Sequence, residues 1–174
     1  MKELLETLDS GLYGFLMEHG DILPKRFIKF LASYFPDARV RKRCLRRLNV
    51  FLGEGTYANP GLICVNDANT PVYIGDHVSI APNCLIVACS GANNGTTINE
   101  IPYVRDVLTK CAPVTVEDEV WIGAHVTILP GVIVRHHCVL GAGSVVTKST
   151  EPYGVYAGVP ARRIRDLKED VQCI

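Results

Sequence analysis

The sequence predicts an all-β solenoid, made of stacked three-sided coils of short strands and preceded by a helical cap. From Val116 onward an aliphatic residue falls on every sixth position, at Val116, Ile122, Ile128, Val134, Leu140 and Val146. Neither an α-helix, with a period of about 3.6, nor a one-sided strand, with a period of about 2, gives this spacing. A short strand followed by a corner does, and a fixed repeat of this kind is typical of solenoids.

A second column of small or aliphatic residues follows the first at an offset of four positions: Val120, Val126, Val132 and Cys138. The same unit occurs upstream, beginning at Ile74 and again at Ile80. Three such units would close a coil of about eighteen residues with corners rich in Gly, Asn or Asp. Each inward aliphatic side chain should contribute roughly 1.5–3 kcal/mol of burial, which enforces the spacing coil by coil.

Composition indicates one globular domain with a modest appendage. The chain has 174 residues, is 48% hydrophobic and carries equal numbers of acidic and basic side chains. Its longest apolar run, Cys84 to Cys89, is too short to span a bilayer, and the amino terminus lacks the order of a signal peptide, so we expect a cytoplasmic protein. No two of the seven cysteines form a CxxC pair, and Cys84 and Cys138 fall in the inner column, so we expect small buried thiols in a reducing compartment and no metal.

We expect a helical cap over residues 1–52, the solenoid over 53–166 and a tail over 167–174. The first helix is indicated by leucines at helical spacing (Leu4, Leu5, Leu8, Leu12), and a second begins near Pro24 and ends at Pro36. A third from Asp37 places four residues on one face: Val40, Cys44, Leu45 and Leu48.

The third helix also carries a basic cluster: Arg39, Arg41, Lys42, Arg43, Arg46 and Arg47. We interpret it as a solvated face, because the whole chain is neutral and no nucleic-acid motif accompanies it. Contact of this helix with a polyanion, either nucleic acid or an anionic membrane surface, is the alternative.

Residues 88–113 interrupt the six-residue order and are predicted to project as a loop. Long excursions from a rigid scaffold are often functional, with a disordered insertion as the alternative.

Three longer motifs accompany the repeats: WIGAHV at 121–126, GAGSVVTK at 141–148 and AGVPAR at 157–162. Together they resemble the hexapeptide-repeat acyltransferases, and among these the galactoside and maltose O-acetyltransferases, over roughly residues 56–166. The resemblance implies a left-handed parallel β-helix, an exception to the usual right-handed crossover, and a homotrimer with acetyl-CoA between neighbouring subunits.

The resemblance also implies cofactor contacts. Ala124 and Ala142 would lie beside the pantetheine arm, with Thr147 and Lys148 further along. Arg162 and Arg165 would lie near the phosphates, which suits their planar guanidinium groups. Trp121 would border the groove between subunits that holds acetyl-CoA, or is simply a packed aromatic. Backbone amides near Gly123 and Ala124 are candidates to stabilise the oxyanion.

For the acceptor, the resemblance implies an amide and a carboxylate, at Asn59 and Asp67, although both residue types also favour corners. The general base of the family is a His at the start of the projecting loop. Gly91 or Ala92 stands there in this chain, and no His occurs between His77 and His125. His125 is the substitute candidate; a surface role is its alternative.

The sequence therefore predicts an acetyl-CoA-dependent transferase acting on a hydroxyl of a sugar or similar small acceptor, with N-acetylation left open. One alternative is a non-catalytic trimeric scaffold that binds CoA and has lost turnover with its His. Another is a metal enzyme similar to the gamma-class carbonic anhydrases, but His77, His125 and the His136–His137 pair lack the spacing of a zinc site.

Overall fold

The computed structural model describes residues 2–171, and the chain in it passes in rotation through three parallel sheets. In chain order the strands are β1 (Val50–Leu52), β2 (Tyr57–Ala58), β3 (Ile63–Val65), β4 (Val72–Ile74), β5 (Ser79–Ile80), β6 (Leu85–Val87), β7 (Cys89–Ser90), β8 (Lys110–Cys111), β9 (Val114–Val116), β10 (Trp121–Ile122), β11 (Thr127–Ile128), β12 (Ile133–Val134), β13 (Val139–Leu140), β14 (Val145–Val146), β15 (Gly154–Ala157) and β16 (Arg162–Asp166).

Successive strands join different sheets, so the chain winds in coils. Sheet A contains β1, β4, β9 and β12, and sheet C contains β3, β6, β11 and β14. Sheet B contains β2, β5, β10, β13 and β15, and β16 adds to its edge as an antiparallel strand. The remaining strands, β7 and β8, form a separate antiparallel pair.

The strand register confirms the eighteen-residue coil. Thr115 pairs with Ile133 in sheet A, Trp121 with Val139 in sheet B and Thr127 with Val145 in sheet C, each eighteen residues apart. Upstream the offsets are longer, 22 residues from Val50 to Val72 and 42 from Val72 to Val114. The extra residues lie in both cases between a strand of sheet C and the next strand of sheet A.

The core lies inside the coils, as the six-residue spacing predicts. All six aliphatic residues from Val116 to Val146 at six-residue spacing are at most 1% exposed. The second column, from Val120 to Cys138, is buried as well. Strand residues therefore alternate between the core and the outer face, as the pleat requires.

Three helices precede the sheets: α1 (Lys2–His19), α2 (Lys25–Tyr34) and α3 (Ala38–Arg47). Asp37 caps the start of helix α3: its carboxylate accepts hydrogen bonds from the amides of Arg39 and Val40 and so satisfies two of the unpaired amides of the first turn. Helices α2 and α3 pack closely on each other. Of the leucines that indicate α1, the side chains of Leu4 and Leu5 lie outside the described part.

Arg41 corrects the interpretation of the basic cluster as a solvated face. It is only 1% exposed, and its guanidinium donates to the carbonyls of Phe35, Pro36 and Ala58. The charge of Arg41 is thus used to satisfy carbonyls at the end of α2 and in the first coil. Arg39, Arg46 and Arg47 are exposed, as expected of a surface cluster.

Residues 89–112 leave the stack as a loop that contains a 3-10 helix (Thr97–Glu100) and a π-helix (Val104–Leu108), whereas Ala88, the first residue of the predicted interruption, is still buried in the core. The base of the loop is the antiparallel pair of β7 and β8, in which Cys89 lies opposite Cys111 and forms a disulfide with it. The expectation of unpaired thiols is therefore wrong for these two cysteines, although Cys84 and Cys138 are free and buried. None of the described side chains from 89 to 112 is buried, so the loop adds nothing to the core.

A short helix, α4 (Lys168–Val171), follows the last strand, and the end of the predicted tail, residues 172–174, lies outside the described residues. Within residues 2–171 no helix combines the length and the apolarity that crossing a bilayer requires.

Candidate functional site

The outer face of sheet B carries the exposed Trp121. Because paired residues share a face, Ser79, Val139 and Val155 lie in the same row as Trp121, whereas Ile122 points inward. The indole is 60% exposed, so Trp121 is not packed in the core of its own chain. It offers a large apolar surface to whatever covers this face.

A bulge at the edge of sheet B brings two arginines to the face of Trp121. Strand β16 pairs with β15 so that Arg162 lies opposite Ala157 and Arg165 lies opposite Val155. Positions three apart in a regular strand would point to opposite faces, but the register shifts at Val155 and Tyr156, and the extra residue, Ile164, restores the alignment.

By this register Arg162 and Arg165 share the outer face, and Arg163 points to the other side. Arg163 pairs there with Asp166, at 2.9 Å, within the same strand. Strands β10 and β16 are separated by β13 and β15, which places Trp121 about 14 Å from β16 at a strand spacing of about 4.8 Å. An aromatic and two guanidinium groups therefore stand along one face.

The corner between sheets B and C carries the small residues of the predicted thioester site. The amide of Gly123 donates to Leu140 O at 2.8 Å, so the expectation that it is free for an oxyanion is wrong. The amides of Ala124 and Ala142 find no acceptor among the described residues. The two alanines lie at the same corner, one coil apart from each other. A Cβ at Gly123 would lie 2.7 Å from Ala142 N, so glycine is needed for the coils to stack this closely.

Thr147 and Lys148 do not lie at this corner, because they directly follow β14, the last strand of sheet C. Both are exposed. Within one chain they do not join the row that contains Trp121.

The predicted acceptor residues lie at opposite ends of strand β3 in sheet C. Asn59 lies before β3 and donates from Nδ2 to Ile80 O at 3.0 Å, whereas Asp67 lies after it. The Thr70 hydroxyl and the Asn69 amide both donate to Oδ1 of Asp67, at 2.9 and 2.8 Å, and these bonds lower the pKa of its carboxyl. Both residues thus have the corner role that the sequence left open.

Asp67 nevertheless lies at the base of the projecting loop. A carboxylate oxygen of Asp67 is within 4.8 Å of both sulfurs of the Cys89–Cys111 disulfide, and Gly91 follows Cys89 by two residues. This is the one group of three potential metal ligands among the described side chains, and two of its members are bonded to each other. The structure therefore brings Asp67, but not Asn59, to the base of the loop near Gly91, where the resemblance predicts the general base.

His125 does not reach that position within its own chain. It lies two residues before β11, whereas the loop begins two residues after β6, so the two stand at opposite ends of sheet C. The ring is exposed, and the backbone takes a positive φ of 57° at the same corner as Ala124. His136 and His137 lie between sheets A and B, against the ring of Tyr153.

Comparison with known proteins agrees with this architecture. Residues 113–148 match the family described as the hexapeptide repeat of succinyl-transferase. The chain is a hexapeptide-repeat protein that resembles the acetyltransferases. It is 41% identical over 121 residues to a galactoside O-acetyltransferase of Escherichia coli K12, an alignment that covers 70% of this chain and 56% of the relative. The chain thus spans little more than half the length of the curated relatives that it matches.

Two solved structures share the fold. A galactoside acetyltransferase in complex with coenzyme A has a TM-score of 0.66 and 27% identity, covering 91% of this chain and 85% of that one. A hexapeptide-repeat acetyltransferase from Vibrio cholerae O1 biovar eltor, complexed with acetyl-CoA, has a TM-score of 0.65 and 27% identity, covering 83% and 85%.

Sequence reasoning missed three features of this hexapeptide-repeat protein: the disulfide, the buried role of Arg41 and the bulge at Ile164. The sequence carries no local signal for any of the three, since even the bulge depends on the register of β16 against β15.

Proposed function

We propose that this chain transfers an acetyl group from acetyl-CoA to a hydroxyl of a sugar or similar small acceptor. The observation that carries the proposal is the shared face of Trp121, Arg162 and Arg165, next to the uncommitted amides of Ala124 and Ala142. The acetyl-CoA and CoA complexes of the two solved structures support the choice of cofactor.

In this proposal the thioester lies at the corner between sheets B and C and the phosphates lie at the edge of sheet B. The two arginine side chains pair with phosphate oxygens through charge-assisted hydrogen bonds. The amides of Ala124 and Ala142 donate to carbonyl oxygens of the thiol arm or to the oxyanion that forms during attack. The thin arm requires the small residues that occupy this corner.

The nucleophile sets the chemical difficulty. A thioester expels a thiolate whose conjugate acid has a pKa of about 8.5, so the leaving group needs little help. A hydroxyl must lose its proton during attack, and a positioned base typically contributes about 10²–10⁴-fold. With Gly91 at the family's base position, four outcomes are open: weak activity, an amine acceptor that arrives neutral, a base carried by the acceptor, or His125 acting across a subunit boundary.

We further propose that the coils wind left-handed and that three chains assemble, with acetyl-CoA held between neighbours. Support comes from the resemblance and from the exposure of Trp121 and Tyr57 on sheet B, where large aromatic surfaces would be covered by a second subunit.

The test is thiol release from acetyl-CoA with a panel of sugars, amino sugars and amines. Arg165→Gln and Arg162→Gln should each raise KM for acetyl-CoA about tenfold or more, because a charge-assisted hydrogen bond contributes about 1.5–3 kcal/mol. Arg163→Gln is the matched control, since it removes the same charge from the opposite face and should leave KM unchanged. Equal effects of all three substitutions would contradict the placement of the phosphates.

A non-catalytic scaffold is the second candidate, favoured by the glycine at position 91. It predicts heat on titration with CoA but no thiol release with any acceptor. Thiol release that depends on the acceptor would exclude it.

A further inference from the structure

Helix α1 extends beyond the body of its own subunit. From position 6 to 12 every described side chain is exposed, and the helix gains its packing only near its end, where Leu16 is buried. The helical conformation of so short a segment as residues 6–12 is only marginally stable in water without tertiary packing. An apolar stripe nevertheless runs along it at positions i, i+4 and i+7, formed by Leu8, Leu12 and Phe15, and Leu8 is 61% exposed.

Helix α2 has an unpartnered stripe of its own. Ile28 and Ala32 are buried against the cap, but Phe27, Phe30 and Tyr34 point outward at i, i+3 and i+7, and Phe30 is 62% exposed. The two stripes do not cover each other within one subunit, because α1 packs on α3 and has few contacts with α2.

The charges beside the two stripes are opposite. Helix α2 carries Lys25, Arg26 and Lys29, all exposed, and no acidic residue. The exposed segment of α1 carries Glu6 and Asp9 and no basic residue. Self-association of either helix would bring like charges together, whereas α1 against α2 pairs unlike ones.

We propose that the apolar stripe of α1 packs on the stripe of α2 of a second copy of this chain. The contact is heterologous, since one surface meets a different surface of its neighbour, and such contacts close into a ring when the rotation allows. Three parallel subunits would bring their caps to the same end, which is the arrangement that a ring of three such contacts needs. This inference rests on the trimer in the proposed function, and it gives the helical cap a role in assembly.

Cysteine cross-linking distinguishes this contact from the alternatives. In a Cys173→Ser background, Leu12→Cys combined with Phe30→Cys should give disulfide-linked dimers and trimers on a non-reducing gel, and nothing larger. Each single cysteine variant should stay monomeric on the gel. Dimers from Leu12→Cys alone would overturn the proposal, since they would place α1 against α1.

Hydrogen exchange tests the same contact without any new covalent bond. The amides of residues 6–12 should exchange at least about tenfold more slowly in wild type than in Leu8→Ser/Leu12→Ser. A trimer by light scattering with no cross-linked ladder and fast exchange in α1 would overturn this inference and leave the trimer intact. A monomer by light scattering would overturn both, while thiol release would still test acetyl transfer by itself.

A lipid surface is the competing occupant of the α2 stripe, because aromatic and basic side chains together favour anionic membranes. Sedimentation with vesicles of phosphatidylserine and phosphatidylcholine separates the two. The proposal expects no binding of wild type, and binding that Phe30→Ser abolishes would overturn it.

Discussion

Arg41 donates from Nη2 to the carbonyl oxygen of Ala58, 2.7 Å away, and so joins helix α3 to the first coil. Replacing it with methionine keeps much of the volume but leaves buried carbonyls without a donor. We expect Arg41→Met to lower the free energy of unfolding by about 1–3 kcal/mol. Urea unfolding measures this, with Arg46→Met as control, since Arg46 is exposed on the same helix and should change stability by no more than about 0.5 kcal/mol.

Ile128 and Thr127 are neighbours that face opposite ways from strand β11. Ile128→Asp would bury an unpaired charge in the core, so we expect no soluble folded protein. Thr127→Asp places the same charge on the outer, half-buried face and should leave a folded protein. Circular dichroism and the melting temperature of the soluble fraction provide the comparison. A wild-type melting temperature for Ile128→Asp would contradict the inward column.

Asp37 should make stability depend on pH at the acid end. The Arg39 guanidinium and the amides of the first turn lower the pKa of Asp37 from 3.8 to about 2. Because the folded pKa is the lower one, the carboxylate stabilises the fold above pH 4, and this contribution is lost as the pH falls toward 2. It should amount to a few tenths to about 1 kcal/mol, since Arg39 is exposed.

Asp37→Asn keeps a capping side chain and removes the charge. Its deficit in unfolding free energy relative to wild type should be constant near neutral pH and disappear between about pH 4 and 2. A deficit that is the same at pH 3 and pH 7 would show that the charge is not responsible.

The disulfide predicts a specific labelling pattern. Iodoacetamide should leave Cys89 and Cys111 unmodified in the oxidised protein and label both after mild reduction, because Cys111 is exposed and Cys89 half-buried. Cys44, Cys84 and Cys138 are buried, and burial raises the pKa of Cys64 to about 12, so these four should react slowly in either state. Peptide mapping by mass spectrometry gives the result residue by residue. Equal labelling of Cys89 before and after reduction would exclude the bond.

The sequence predicts the coils well because burial alone dictates them. An inward position such as Ile122 tolerates only an apolar side chain, and the rule repeats with the geometry of the coil. Arg41 was misjudged for a different reason, since helical spacing shows which arginines share a face but not which carbonyls lie above them. The pairing of Cys89 with Cys111 depends on where the two ends of a long excursion meet, which no local pattern encodes.

The residues of the candidate site could be predicted from the sequence, but their arrangement in space could not. The motifs identify Trp121, Arg162 and Arg165, but their common face follows from the register of β16, which pairing across the sheet decides. The amide of Gly123 was misassigned because a glycine in a corner looks exposed in the sequence, whereas stacking of adjacent coils uses its N–H.

Two connections in this chain are longer than the others, residues 66–71 and 88–113. Both lie at the same edge of the three-sided stack, where the chain passes from sheet C to sheet A. The other two edges keep five-residue steps from strand to strand in all four coils, from Leu52 to Tyr57 through Leu140 to Val145. Length variation at this edge leaves every other pairing in phase, so evolution can rebuild the protruding segment while the wall that would hold the nucleotide stays fixed. An engineer could graft foreign segments at the same seam and expect the remaining architecture to survive.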